Sequence, residues 1–213
     1  MENIENLERI AEKNIDIAKT EKEIAMNSKF MAKLELKKAK AREELSKKGI
    51  ELAKIKKQLA KQTRNLIKNK IADKELLEYS DSGLNLEKTY AIYNENLAII
   101  QIELAEIHGK IAKIETNISE ANKNLISERL SIAKERDKLG KQQFAYIKLL
   151  KSNISEEKKN RAKEKIISQQ SKLKKIQNKI NEMMGDIKSK QNMLSDLKKN
   201  LSLKLLEREK IRP

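Results

Sequence analysis

The stretch IAKTEKEIAMNSKFMA, residues 17–32, repeats one doublet: a large apolar residue, an alanine, then five mostly polar residues. Ile17–Ala18, Ile24–Ala25 and Met31–Ala32 fall seven apart, and Ile10–Ala11 precedes them in phase. A seven-residue apolar period is the mark of helices that pack along one another. The unusual part is the alanine, because a small side chain beside each bulky one implies a second, closer contact.

Outward from this stretch the period persists. The bulky column of the first helical segment is Ile10, Ile17, Ile24, Met31, Lys38, Leu45, Leu52, Leu59 and Leu66. The column one residue later is Ala11, Ala18, Ala25, Ala32, Ala39, Ser46, Ala53, Ala60 and Ile67. A second segment repeats the device. Its bulky column is Tyr90, Leu97, Leu104, Ile111, Ile118, Leu125, Ile132, Leu139 and Tyr146, and the column one residue later is Ala91, Ala98, Ala105, Ala112, Ser119, Ile126, Ala133, Gly140 and Ile147. A further column from Leu86 through Tyr93, Ile100, Ile107 and Ile114 adds a seam. In the third segment Leu173, Ile180, Ile187, Leu194 and Leu201 form one seam with Ile176, Met183 and Leu197, with no alanine column behind it.

Composition agrees. Only 3% of the 213 residues are aromatic, valine and cysteine are absent, and the single proline is Pro213. Strand formers are scarce, while good helix formers dominate. The expected fold is all-α, an elongated antiparallel coiled coil of three long helices forming one domain. Helix 1 is expected over about 3–79, helix 2 over about 86–151 and helix 3 over about 153–211. Their lengths would be roughly 115, 100 and 88 Å. Ser80–Gly83 reads as the first turn, with Asn85 capping helix 2. Asn153 and Glu156 have capping-box spacing at the second break, where a continuous kinked helix is the alternative.

The small columns of helices 1 and 2 are expected at their mutual contact, since small residues let backbones approach. The bulky columns should then seal against helix 3 or a second copy, and helix 3 should be an outer helix. A hairpin centred near Ser82 sets residue i beside about residue 164 − i, which makes Lys38 and Glu128 a candidate register pair.

Chemistry has little foothold. The only histidine, His108, has Ala105 three residues before it, so the Glu-x-x-His spacing of a di-iron bundle is missing. No metal, cofactor or small-molecule substrate is expected, and the chain reads as a non-enzyme. Absence of cysteine excludes disulfides and thiol chemistry. The acidic, amphipathic start MENIENLERI shows no signal peptide, so a cytoplasmic location is expected, with signal-less secretion as the alternative.

The formal net charge is +16 and it is patterned. Residues 33–70 hold fourteen Lys or Arg against four Asp or Glu, while residues 73–120 are net acidic. Lys33, Lys40, Lys47, Lys54, Lys61 and Lys68 form another seven-spaced column, joined by Lys57 and Arg64. This is the candidate polyanion-binding surface. Abundant Lys, Asn and Ile also fit an AT-rich genome, which would leave part of the excess without a role. The expected function is a structural coiled-coil protein: a rigid spacer, stalk or scaffold in a larger assembly, engaging a protein partner or a second copy through an apolar seam. The alternative is a basic rod that binds an anionic membrane or nucleic acid through its lysines.

Overall fold

The structure is a computed structural model that describes residues 2–75 and 82–211. These residues form three helices, α1 (Glu2–Glu75), α2 (Ser82–Leu150) and α3 (Glu156–Lys210), and no strand occurs among them. Long uninterrupted helices follow from the composition: no proline falls inside any element and straight-chain helix formers fill the exposed positions.

The ends differ from the sequence reading. α2 begins at Ser82, so Gly83 and Asn85 lie inside the helix and Asn85 does not cap it. Ser80 and Asp81 of the expected turn lie outside the described residues. At the second junction the chain does break. Lys151 N–H donates to the Ile147 carbonyl at 3.1 Å, and Ile154 N–H to the Ser152 carbonyl at 2.9 Å. The carbonyl of Ser155 accepts the first bond of α3, from Lys158 N–H at 3.1 Å. Ser155 therefore holds the cap position expected for Asn153. Glu156 and Glu157 come next in the first turn, where the helix dipole favours carboxylates.

The helices group into two compact units. The first comprises Met1–Leu36 with Ile118–Ser189, and the second Lys37–Asn117 with Lys190–Pro213. In each unit the pairing is antiparallel. In the first, Asn14 donates to Gln143 at 2.8 Å and Arg136 to Glu21 at 2.8 Å. In the second, Arg42 donates to Glu115 at 3.3 Å and Arg64 to Glu95. The paired residue numbers total 157 in the first three cases and 159 in the fourth. The register is thus five to seven residues tighter than a hairpin centred near Ser82 would give.

Packing separates the two kinds of column. Ala11, Ala18, Ala25, Ala32, Ala39 and Ala53 of α1 are buried. On α2, Ala91, Ala98, Ala112 and Ala133 are buried, while Ala60 of α1 and Ala105 of α2 are half-buried. At Gly140, which continues the α2 small column, an added Cβ would lie 2.6 Å from Ile15 Cγ1 and 3.0 Å from the Ala11 carbonyl oxygen. The small column of α2 therefore faces that of α1 so closely that here even a methyl does not fit.

The bulky columns have different fates. That of α2 is covered by α3: in the first unit Leu125 and Ile132 form one core cluster with Ile180 and Ile187. That of α1 is not covered. Ile24, Met31, Leu45, Leu52, Leu59 and Leu66 are each more than half exposed. α3 thus seals one bulky column rather than both. It is an outer helix, with only Gln169, Ile180 and Ile187 buried.

Candidate interaction surfaces

Three surfaces of α1 follow from its period. Columns one and two residues past the bulky one are turned about 103° and 206° from it in a seven-residue repeat. The small column is buried against α2. The bulky column and the lysine column both face outward, on nearly opposite sides of the helix.

Lys33, Lys40, Lys47, Lys54, Lys61, Lys68 and Lys57 are all exposed. Lys47 lies 3.4 Å from Glu43 on its own helix. Arg64, which its spacing grouped with these lysines, does not belong to that surface. It is half-buried and its guanidinium donates to Glu95 across the α1–α2 contact. Its column, shared with exposed Lys57, lies midway between the small and lysine columns, and the carboxylate of Glu95 draws its long side chain toward α2.

The pair expected between Lys38 and Glu128 is corrected as well. Glu128 instead accepts from Lys179 of α3 at 2.5 Å, and Lys38 is exposed. The tighter register explains why: Glu128 belongs to the first unit, where it meets α3, and Lys38 belongs to the second.

Charge patterning has a structural account in the second unit. Carboxylates of the net acidic part of α2 in this unit face the basic flanking helices: Glu115 accepts from Arg42 at 3.3 Å and lies 3.7 Å from Lys198, and Glu103 lies 2.7 Å from Lys204. Glu103 and Glu207 together hold the Lys204 ammonium above its ordinary value. These are surface pairs, which solvent screens, so they select register more than they add stability.

A polar contact that the sequence reading missed joins α2 and α3 in the first unit. Gln169 is buried, and its amide donates to the Glu135 carbonyl oxygen at 2.9 Å and to the Glu135 carboxylate at 2.7 Å. Hydrogen bonds from Lys138, then Gln169, hold the Glu135 carboxyl below its ordinary value. The signal was present, because Gln169 stands seven residues before Ile176 in the seam.

A cleft of about 690 Å³ lies in the second unit. Leu45, Ser46 and Gly49 of α1, Ile111 and Ala112 of α2, and Leu201 of α3 supply much of its lining. It opens because small residues draw α1 onto α2 while α3 follows the bulky column of α2. His108 is exposed at its edge. Among the described residues no group of three or more His, Cys, Asp and Glu is arranged to hold a metal ion. No helix among them is long and apolar enough to cross a membrane. The arrangement defines an all-α protein of three long packed helices. Neither a protein-family model nor a curated protein matches the chain.

Proposed function

We propose that this protein is a non-enzymatic structural coiled-coil component, a spacer or scaffold in a larger protein assembly, whose α1 bulky column is covered by another helix. One observation carries the reading: the bulky α1 column from Ile10 to Leu66, apolar except at Lys38, stays exposed at every position but half-buried Ile17 after α2 and α3 have packed. Scattered exposed apolar residues need no explanation, but an aligned series on one helix has the form of an unfilled coiled-coil seam. A photo-crosslinking residue placed at Leu52 or Leu59 in the native host tests the proposal. Adducts to a protein helix are expected at both positions and not at Lys54, on another face of α1. Absence of adducts at both column positions would remove the support.

A second reading rests on the exposed lysine column. Lys47, Lys54, Lys61 and Lys68 succeed one another at seven-residue spacing on the surface of the second unit. A linear array of that kind can track anionic lipid headgroups or phosphates by charge, without reading sequence.

A further inference from the structure

The occupant of the α1 bulky column can be argued from the charges that flank it, and we infer that it is α1 of a second copy of this chain, running antiparallel. The inference rests on the structural role proposed above and names the partner.

Read as a heptad, α1 places the bulky column at position a. Position d is then Lys13, Thr20, Asn27, Leu34, Ala41, Lys48, Ile55, Gln62 and Asn69. Every one of these d residues is exposed, as is every a residue except half-buried Ile17. α1 runs unbroken from Glu2 to Glu75, so the positions are read along one element. The flanking e column contains Glu21, Ser28, Glu35, Arg42, Gly49 and Lys56, and the g column Asp16, Glu23, Phe30, Lys37, Glu44 and Glu51. The e column changes sign along the helix, acidic before residue 40 and basic after it, which suits an antiparallel copy of itself.

In an antiparallel coiled coil a residues face d residues, while e faces e and g faces g. Shifting two copies of α1 past one another in heptad steps gives one register in which residue i meets about residue 79 − i. There, Leu34 meets Leu45 and Ile24 meets Ile55 of the second copy, while Leu52, Leu59, Met31 and Leu66 meet the polar Asn27, Thr20, Lys48 and Lys13, whose long or short side chains reach solvent at the seam's edge. Glu35 faces Arg42, Lys37 faces Glu44 and Glu21 faces Lys56, each twice by symmetry. No like charges oppose one another at e or g. A heptad shift to one side sets Glu35 and Lys37 against themselves, and to the other Arg42 and Glu44. A parallel dimer sets Asp16 against Glu21, Lys37 against Arg42 and Lys38 against itself. The charged groups are not equally free to pair: Glu35, Lys37, Glu44 and Lys56 are exposed, whereas Glu21 already holds Arg136. Arg42 reaches Glu115 at 3.3 Å with its side chain 56% exposed.

Exposure agrees. Ile10, Ile24, Met31, Leu34, Leu45, Leu52, Ile55, Leu59 and Leu66 lie on the a and d columns and are 45–71% exposed. Nine aligned side chains at that exposure form an extended apolar strip of the kind that marks an interaction site. The lysine column from Lys33 to Lys68 lies away from this seam; the cations within it are Lys13, Lys38 and Lys48.

The full chain in sedimentation equilibrium should show twice the chain mass at micromolar concentration. Because the chain has no cysteine, Leu34→Cys and Leu45→Cys supply single reporters. Mixed and mildly oxidised, the two variants should join to each other, while neither joins to itself. Lys37→Glu should weaken dimerisation at least tenfold, and K37E/E44K should restore it. Far-ultraviolet circular dichroism checks that each variant stays helical. Self-joining of each single variant would mean a parallel pair and overturn the inference. A monomeric chain with crosslinks from Leu52 to a different protein would overturn self-pairing and leave the scaffold reading intact. A monomer with no adducts at Leu52 or Leu59 would overturn both.

Discussion

At Gly140 the contact between α1 and α2 is tighter than an alanine allows, and the cost of a methyl group there is predictable. Gly→Ala inside a helix ordinarily gains about 0.5–1 kcal/mol from propensity and chain entropy. The new Cβ would meet Ile15 Cγ1 at 2.6 Å and the Ala11 carbonyl oxygen at 3.0 Å. Neither atom is the free end of a flexible side chain, so the overpacking penalty, about 1–3 kcal/mol, should win. Gly140→Ala should therefore lower the unfolding free energy by about 1 kcal/mol or more. Gly185, on exposed α3, meets nothing within 4 Å. Gly185→Ala should raise it by about 0.5–1 kcal/mol. Urea titrations of both variants check the pair, and equal effects of one sign would contradict the packing described for the small column. This contact was half legible beforehand. Gly140 falls in phase with the alanines, but only the coordinates show how close Ile15 comes.

Among the elements, α2 is the central one. It gives its small column to α1 and its bulky column to α3, and that division follows from size. Small residues favour a close backbone approach, while Leu125 and Ile132 need the deeper seam offered by Ile180 and Ile187. Gln169 interrupts this seam and is satisfied by Glu135. Lys138 and Gln169 stabilise the charged form of Glu135, so its native pKa lies below the unfolded one. The associated stability is full above the ordinary glutamate value and is lost as pH falls through the lower native value. The urea midpoint should drop on acidification across that window. Glu135→Gln should start lower at neutral pH and lose less on acidification. A variant that tracks the parent chain at every pH would show that the contact contributes nothing. The seam itself was readable from spacing. The polar bond within it was not, because a glutamine at an apolar phase gives no hint of which group on the neighbouring helix will meet it.

For the molecule as a whole, the net charge of +16 has two different destinations. Some basic groups, such as Arg42, Arg64, Lys198 and Lys204, are turned toward carboxylates of α2. The lysine column is turned to solvent. If that column binds anionic surfaces, binding should fall steeply with salt, and replacing Lys47, Lys54, Lys61 and Lys68 together by glutamine should abolish it. Cosedimentation with vesicles containing anionic lipid, repeated with duplex DNA, reads the effect. Unchanged binding in the fourfold variant would assign it elsewhere. The same substitutions should leave self-association through the bulky column intact, because the two columns lie on different faces of α1.

The sequence by itself determined that the chain is helical, roughly where three helices run, that the neighbours are antiparallel, and which residues repeat in phase. Those properties are local or periodic: propensity, the absence of interior proline, and the seven-residue repeat act along one chain. Tertiary structure alone decided the register, which the pairs Asn14–Gln143 and Arg42–Glu115 show. It also decided the partner of Glu128, the withdrawal of Arg64 from the basic surface, and above all which bulky column stays open. A third helix with one apolar seam can cover only one such column, and whether it tracks α1 or α2 depends on packing between side chains far apart in sequence.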